Sequence, residues 1–174
     1  MTHAADPSTT GPTAVAAAVR ELGTVPDTYG PTLNTTTSPA AVALVGKALA
    51  DILRPHRPTA LAFWNTSDDA VLAYAVARQL DAALYRADDV QGIVAWTPAT
   101  TADARVALLA TVWSDATRLE ALTAVTARHC AEVVAVASVF NSPVQQRSAL
   151  PKAFLLEDDA PASGAQHPDG AART

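Results

Sequence analysis

One cysteine, Cys130, is too few for an internal disulfide or a cysteine-based zinc site. Aromatic residues make up only 5% of the chain, so its 49% hydrophobic content rests largely on alanine. No apolar run approaches the roughly 20 residues that a bilayer-spanning helix needs. Positive charge is also scarce and scattered: 12 Lys and Arg stand against 17 Asp and Glu, a net charge of −5. Without a basic face or interleaved aromatics the chain lacks the electrostatic footprint of a nucleic-acid binder. Residues 1–13 carry an acid and no basic n-region, which argues against a signal peptide and for the cytoplasm.

What is present fits one domain. At 174 residues the chain is long enough to bury a real core. Residues 1–12 and 157–174 are rich in Thr, Ser, Pro, Gly and Ala without apolar periodicity, so both read as disordered tails around a domain at 13–156.

Inside that domain the pattern alternates. Helices are expected at 13–22, with Val15, Val19 and Leu22 on one face, and from Pro39 to about Leu53. The second has Ser38 as N-cap, proline at its first position, Arg54-Pro55 as its stop, and a stripe of Leu44, Val45, Ala48, Leu49 and Ile52. Residues 59–64 form an unbroken apolar run, the mark of a strand buried on both faces. A loop at 65–69 precedes a helix at 71–80, with Leu72, Ala75, Val76 and Leu80 inward. Short strands follow at 82–86 and 93–97, with a loop at 98–104. A long strand is expected at 105–113, a helix at 117–129 opened by a Thr117/Glu120 capping box, and a strand at 132–140, with a late edge strand at 154–156. Strands alternating with helices predict an α/β fold with a doubly wound, mostly parallel sheet and right-handed crossovers.

Ligands of such sheets bind beyond the carboxyl ends of the strands. Trp64, Trp96 and Trp113 fall at or near predicted strand ends, as does Phe140. Asn65, Thr66, Ser67, Asp68, Thr97, Ser114, Asp115, Asn141 and Ser142 follow them. This predicts a tryptophan-floored pocket for an aromatic small molecule, held by polar loop groups. Helix N-termini usually attract phosphate, but both entrances here carry acids: Asp68 and Asp69 at one, Asp115 at the other. Neither loop contains glycine, which hinders close backbone approach to a ligand. Asp68, Asp69, Asp88, Asp89 and Asp115 are better explained as helix caps and turn residues than as ligands of a divalent cation. The histidines at 3, 56, 129 and 167 pair with no nucleophile, and Cys130 reads as a small buried hydrophobe.

The order Val106-Ala107-Leu108-Leu109-Ala110-Thr111-Val112-Trp113, Ser114-Asp115-Ala116-Thr117-Arg118, an Ala-rich helix and Glu132-Val133-Val134-Ala135-Val136 resembles the core of type I phosphoribosyltransferases. Residues 44–50 and 72–80 resemble two helices of the orotate-type branch, and the likeness spans most of 33–140. The resemblance implies a Rossmann-like phosphoribosyltransferase fold, a dimer, and a strand-end site for phosphoribosyl pyrophosphate (PRPP) with magnesium. The family's strand-end acids, which contact the ribose hydroxyls, fall on Ala110 and Thr111. Its phosphate cradle falls on Ser114, Asp115, Ala116, Thr117 and Arg118, and its glycine-bearing pyrophosphate loop on residues 65–69. The basic closing loop shrinks to 87–92, and no lysine lies between Lys47 and Lys152. The joint loss of acids, glycines and basic lid implies a protein that no longer transfers phosphoribose. No cofactor is expected, with magnesium needed only if PRPP binding persists. The expected role is that of a non-catalytic regulatory or interaction subunit, as a homodimer or beside a related enzyme, or of a small-ligand binder. The alternative is a divergent enzyme acting on a nucleobase, nucleoside or specialised metabolite, with Asp68, Asp69 or Asp115 as acid/base groups.

Overall fold

Alternating apolar strands and amphipathic helices can bury their faces together only as layers, and the computed structural model shows that solution. It describes residues 11–28, 30–97 and 103–157; of the tails expected at 1–12 and 157–174, residues 1–10 and 158–174 lie outside these, as does most of the loop at 98–104, while Pro12 opens the first helix. The chain runs α1 (Pro12–Leu22), β1 (Thr24–Asp27), β2 (Gly30–Leu33), α2 (Pro39–Leu53), a 3-10 turn at Arg54–His56, β3 (Ala60–Trp64) and α3 (Ser67–Leu80). It continues through β4 (Ala83–Val90), β5 (Ile93–Thr97), β6 (Arg105–Val112), α4 (Ala116–Arg128), β7 (Glu132–Phe140), α5 (Pro143–Arg147) and β8 (Lys152–Leu156).

Six strands form one sheet in the order β5-β4-β3-β6-β7-β8. All neighbours are parallel except β4 and β5, which form an antiparallel hairpin. β3, β6 and β7 occupy the centre, and burial on both faces accounts for their continuous apolar runs. On one face Leu61, Phe63, Leu109 and Val139 pack under α1, α2 and α3. On the other, Ala62, Leu108 and Val136 pack with Leu119 and Leu122 of α4. Among the described residues no helix is long and apolar enough to cross a membrane.

Several boundaries differ from the sequence reading, each for a local reason. Helix α3 begins at Ser67, not Val71, because the Thr66 hydroxyl caps it by accepting from Asp69 N at 3.2 Å. Ser67, Asp68 and Asp69 are therefore its first turn, where acids suit the dipole. Helix α4 is capped by Asp115, whose carboxylate accepts from Thr117 N at 2.8 Å; the Thr117/Glu120 capping box does not form. Strand β4 continues through Val90, so Asp88 and Asp89 belong to a strand, and residues 87–92 are part of a β-hairpin turning at Gln91-Gly92. Leu44, Ile52, Ala75 and Leu80 are half-buried. Cys130 is exposed, not buried, because the backbone reverses there with φ 56° between α4 and β7. The β1–β2 hairpin and α5 were not anticipated.

Beside α5 a buried polar cluster ties the sheet edge together. Gln145 is wholly buried, and its Nε2 donates to the carbonyls of Val136 at 2.9 Å and Ala153 at 3.2 Å. Its Oε1 lies 2.5 Å from the Ser138 hydroxyl.

Candidate functional site

The strand-end cleft is built by the tips of β3 and β6 and the first turns of α3 and α4. The β1–β2 hairpin covers it. Its lining comprises Trp64, Thr66, Asp69, residues 110–115 and Arg118, with Asp27, Gly30, Pro31 and Thr32 from the hairpin. The cleft is narrow and half open to solvent, with a free volume of about 30 Å³, room for one or two water molecules and far below that of an ordinary small-molecule site.

Asp69 sits at its base. Strand β3 pairs with β6 only as far as Leu108, so Thr111 N has no strand partner on that side. Asp69 Oδ1 supplies one, accepting from Thr111 N at 2.8 Å. Burial nevertheless dominates and pushes the Asp69 pKa up to about 6. The Thr111 amide, the Thr66 hydroxyl, the Arg118 charge and the Thr111 hydroxyl oppose the shift. Thr111 Oγ1 also lies 2.6 Å from Thr32 Oγ1, both residues being buried, which joins the hairpin to β6.

The tryptophans do not form one open floor. Trp64 is buried, donates from Nε1 to Arg118 O at 3.3 Å, and carries the Arg118 guanidinium 4.6 Å from its ring centroid. Trp113 is buried and donates to Ala137 O at 3.0 Å. Trp96 lies apart, stacked between Tyr85 at 5.2 Å and His129 at 5.6 Å. The reason is lateral: Trp96 is level with Trp64 through Ala87 of β4, but it stands on the outer edge strand, two strands away from β3.

The remaining polar candidates hold the scaffold. Asp68 accepts from Thr35 N and Oγ1 at 2.9 and 2.7 Å, tying α3 to the approach of α2. Asn65 Nδ2 donates to Asp88 at 2.6 Å, and Arg86 reaches the same carboxylate at 3.1 Å. Asp89 accepts from Gly92 N in the hairpin turn at 2.8 Å. Ser67 and Thr117 are exposed, Ser114 is exposed beside the hairpin, and Ala110 and Ala116 bring only methyl groups. Among the described residues no group of three or more His, Cys, Asp and Glu is arranged to hold a metal ion.

Five lining residues escaped the sequence reading: Val112 of β6 and, from the hairpin, Asp27, Gly30, Pro31 and Thr32. The available clue was the pair Gly23 and Gly30 bracketing a short Thr/Val/Pro stretch; both adopt positive φ, at 68° and 122°.

The site is thus a narrow cleft lined by carboxylates at the carboxyl edge of a doubly wound sheet. Neither a family model nor a curated protein sequence matches the chain. Solved structures do. A phosphoribosyltransferase from Corynebacterium diphtheriae superposes with a TM-score of 0.67 at 16% identity, over 84% of this chain and 95% of that one. Adenine phosphoribosyltransferase from Saccharomyces cerevisiae gives 0.68 at 10% identity, over 83% and 99%. Orotate phosphoribosyltransferase from Mycobacterium tuberculosis gives 0.61 at 16% identity, over 84% and 96%. The chain has the phosphoribosyltransferase fold.

Proposed function

We propose that this protein keeps the phosphoribosyltransferase fold without PRPP-dependent transfer, and acts as a non-catalytic regulatory or interaction subunit. The observation that carries this reading is the charge of the narrow cleft: three carboxylates, Asp27, Asp69 and Asp115, line it against one guanidinium, that of Arg118. A phosphate 4 Å from a carboxylate is repelled by roughly 4 kcal/mol per unit charge at an effective dielectric of 20. The positive ends of α3 and α4 already use amides on Thr66 and Asp115, which leaves them less to offer a pyrophosphate. Ala110 and Thr111 present a methyl group and an engaged hydroxyl at the strand end.

Four large apolar side chains remain exposed in the described chain, Val71, Tyr74, Val90 and Ile93, and suit association with a second copy or a related enzyme. No cofactor is required, and magnesium is dispensable. A pyrophosphate-release assay with PRPP, magnesium and each common nucleobase tests the proposal: release at background rate is expected. Turnover at ordinary enzyme rates, abolished by Asp69→Ala or Asp115→Ala, would instead establish a divergent transferase.

A further inference from the structure

The β1–β2 hairpin stands apart from the rest of the molecule. It is a two-stranded sheet of its own, with no strand joined to the six-stranded sheet. Such hairpins are marginal alone and depend on what they dock against. Pro26, Asp27 and Thr28 at its tip are exposed, whereas Thr32 and Leu33 near its base are buried. It leaves α1 through Gly23, whose φ of 68° and ψ of −172° few other residues adopt, and returns at Asn34, whose N–H donates to Gly23 O at 3.0 Å. Both ends of the hairpin therefore meet at one pinned point, and its far end lies over Ser114 and Asp115.

Its polar attachment to the cleft is a buried hydroxyl pair. Thr32 Oγ1 and Thr111 Oγ1 lie 2.6 Å apart, and the Thr111 N–H donates to Asp69 Oδ1 at 2.8 Å, so the hairpin is tied to the same residue that the carboxylate holds.

We infer that the β1–β2 hairpin (Thr24–Asp27 and Gly30–Leu33) forms a hinged lid over the strand-end cleft, latched by the Thr32–Thr111 hydroxyl pair. The hinge is the Gly23–Asn34 pair. Opening uncovers Asp69 and Thr111, while the sheet beneath keeps its pairing. The lid governs entry to the cleft whatever ligand the cleft accepts.

Hydrogen exchange of the full chain, in phosphate-free buffer without PRPP, tests this separately from the question of catalysis. In the wild type, amides of the hairpin and of 111–115 are expected to exchange together, through an opening that leaves 106–109 and 134–139 protected. Thr32→Val is expected to speed exchange in both opening segments about tenfold with the sheet unchanged. An oxidised Thr32→Cys/Thr111→Cys pair, in a Cys130→Ser background, is expected to slow both; it also serves if Thr32→Val fails to fold. Exchange of the hairpin only together with the sheet would overturn the lid. So would acceleration of the hairpin by Thr32→Val without 111–115, or failure of the crosslink to slow either segment.

Discussion

Asp69→Asn is expected to stabilise this protein at pH 7.5 and to flatten its stability against pH between about 4 and 7. The sign follows from the carboxyl's folded-state pKa of about 6, raised from 3.8 chiefly by burial. A raised acid binds its proton more tightly in the folded chain. Its contribution to stability is therefore complete below pH 3.8 and is lost as pH rises through 6. At pH 7.5 the ionised group costs on the order of 3 kcal/mol relative to a site of ordinary pKa. Asparagine keeps an oxygen for the Thr111 amide and carries no charge to bury, so much of that cost disappears. The charged groups that line the cleft with it, Asp27, Asp115 and Arg118, are unchanged by the substitution. For a chain of this size a gain of about 2 kcal/mol raises Tm by roughly 4–8 °C. Asp69→Ala removes the acceptor as well and should lie about 1–3 kcal/mol below Asp69→Asn. Thermal denaturation of the three proteins from pH 4 to 8 checks this. Parallel pH profiles for wild type and Asp69→Asn, or a less stable Asp69→Asn at pH 7.5, would contradict it.

The second large effect lies in the α2–α3 contact, at Gly46. A Cβ placed there would stand 2.6 Å from Ala75 Cβ and 3.0 Å from Ala75 C. The neighbour is largely backbone of a packed helix and cannot swing aside, so the two helices must separate. Gly46→Val is expected to cost about 3 kcal/mol or more, lowering Tm by roughly 6–12 °C. Gly46→Ala gains about 1 kcal/mol of helix propensity, yet should still destabilise. Adding Ala75→Gly removes the clashing methyl and should recover part of the loss, a coupling that a double-mutant cycle reads directly. A Gly46→Ala protein as stable as the wild type would contradict this packing.

Much of the fold was legible because its signals are local. The runs at 60–64, 105–112 and 132–140 are too apolar to be anything but strands covered on both sides. Ser38-Pro39 announces α2 and caps it, accepting from Ala41 N at 3.3 Å. The β1–β2 hairpin was not legible, since each strand is four residues long, contains proline and shows no clean alternation. Its stability comes from what it covers, and that is long-range information. The site was partly legible for the same reason. Trp64, Asp69, Trp113, Asp115 and Arg118 do meet at the strand ends, because strand termini and helix caps place them there. Trp96 does not join them because β5 is the edge strand, and strand order is long-range information. The covering of the cleft required Thr32 and Thr111, 79 residues apart, to be seen together.

Calorimetric titration of the purified protein with PRPP and magnesium, with ribose 5-phosphate alone as a comparison, addresses the central claim most directly. A narrow, carboxylate-lined cleft predicts no heat of binding and no shift in Tm for either compound at millimolar concentration. Saturable micromolar binding of PRPP, lost on Arg118→Ala, would show that the cleft opens to admit a phosphate and that the transferase site survives in altered form.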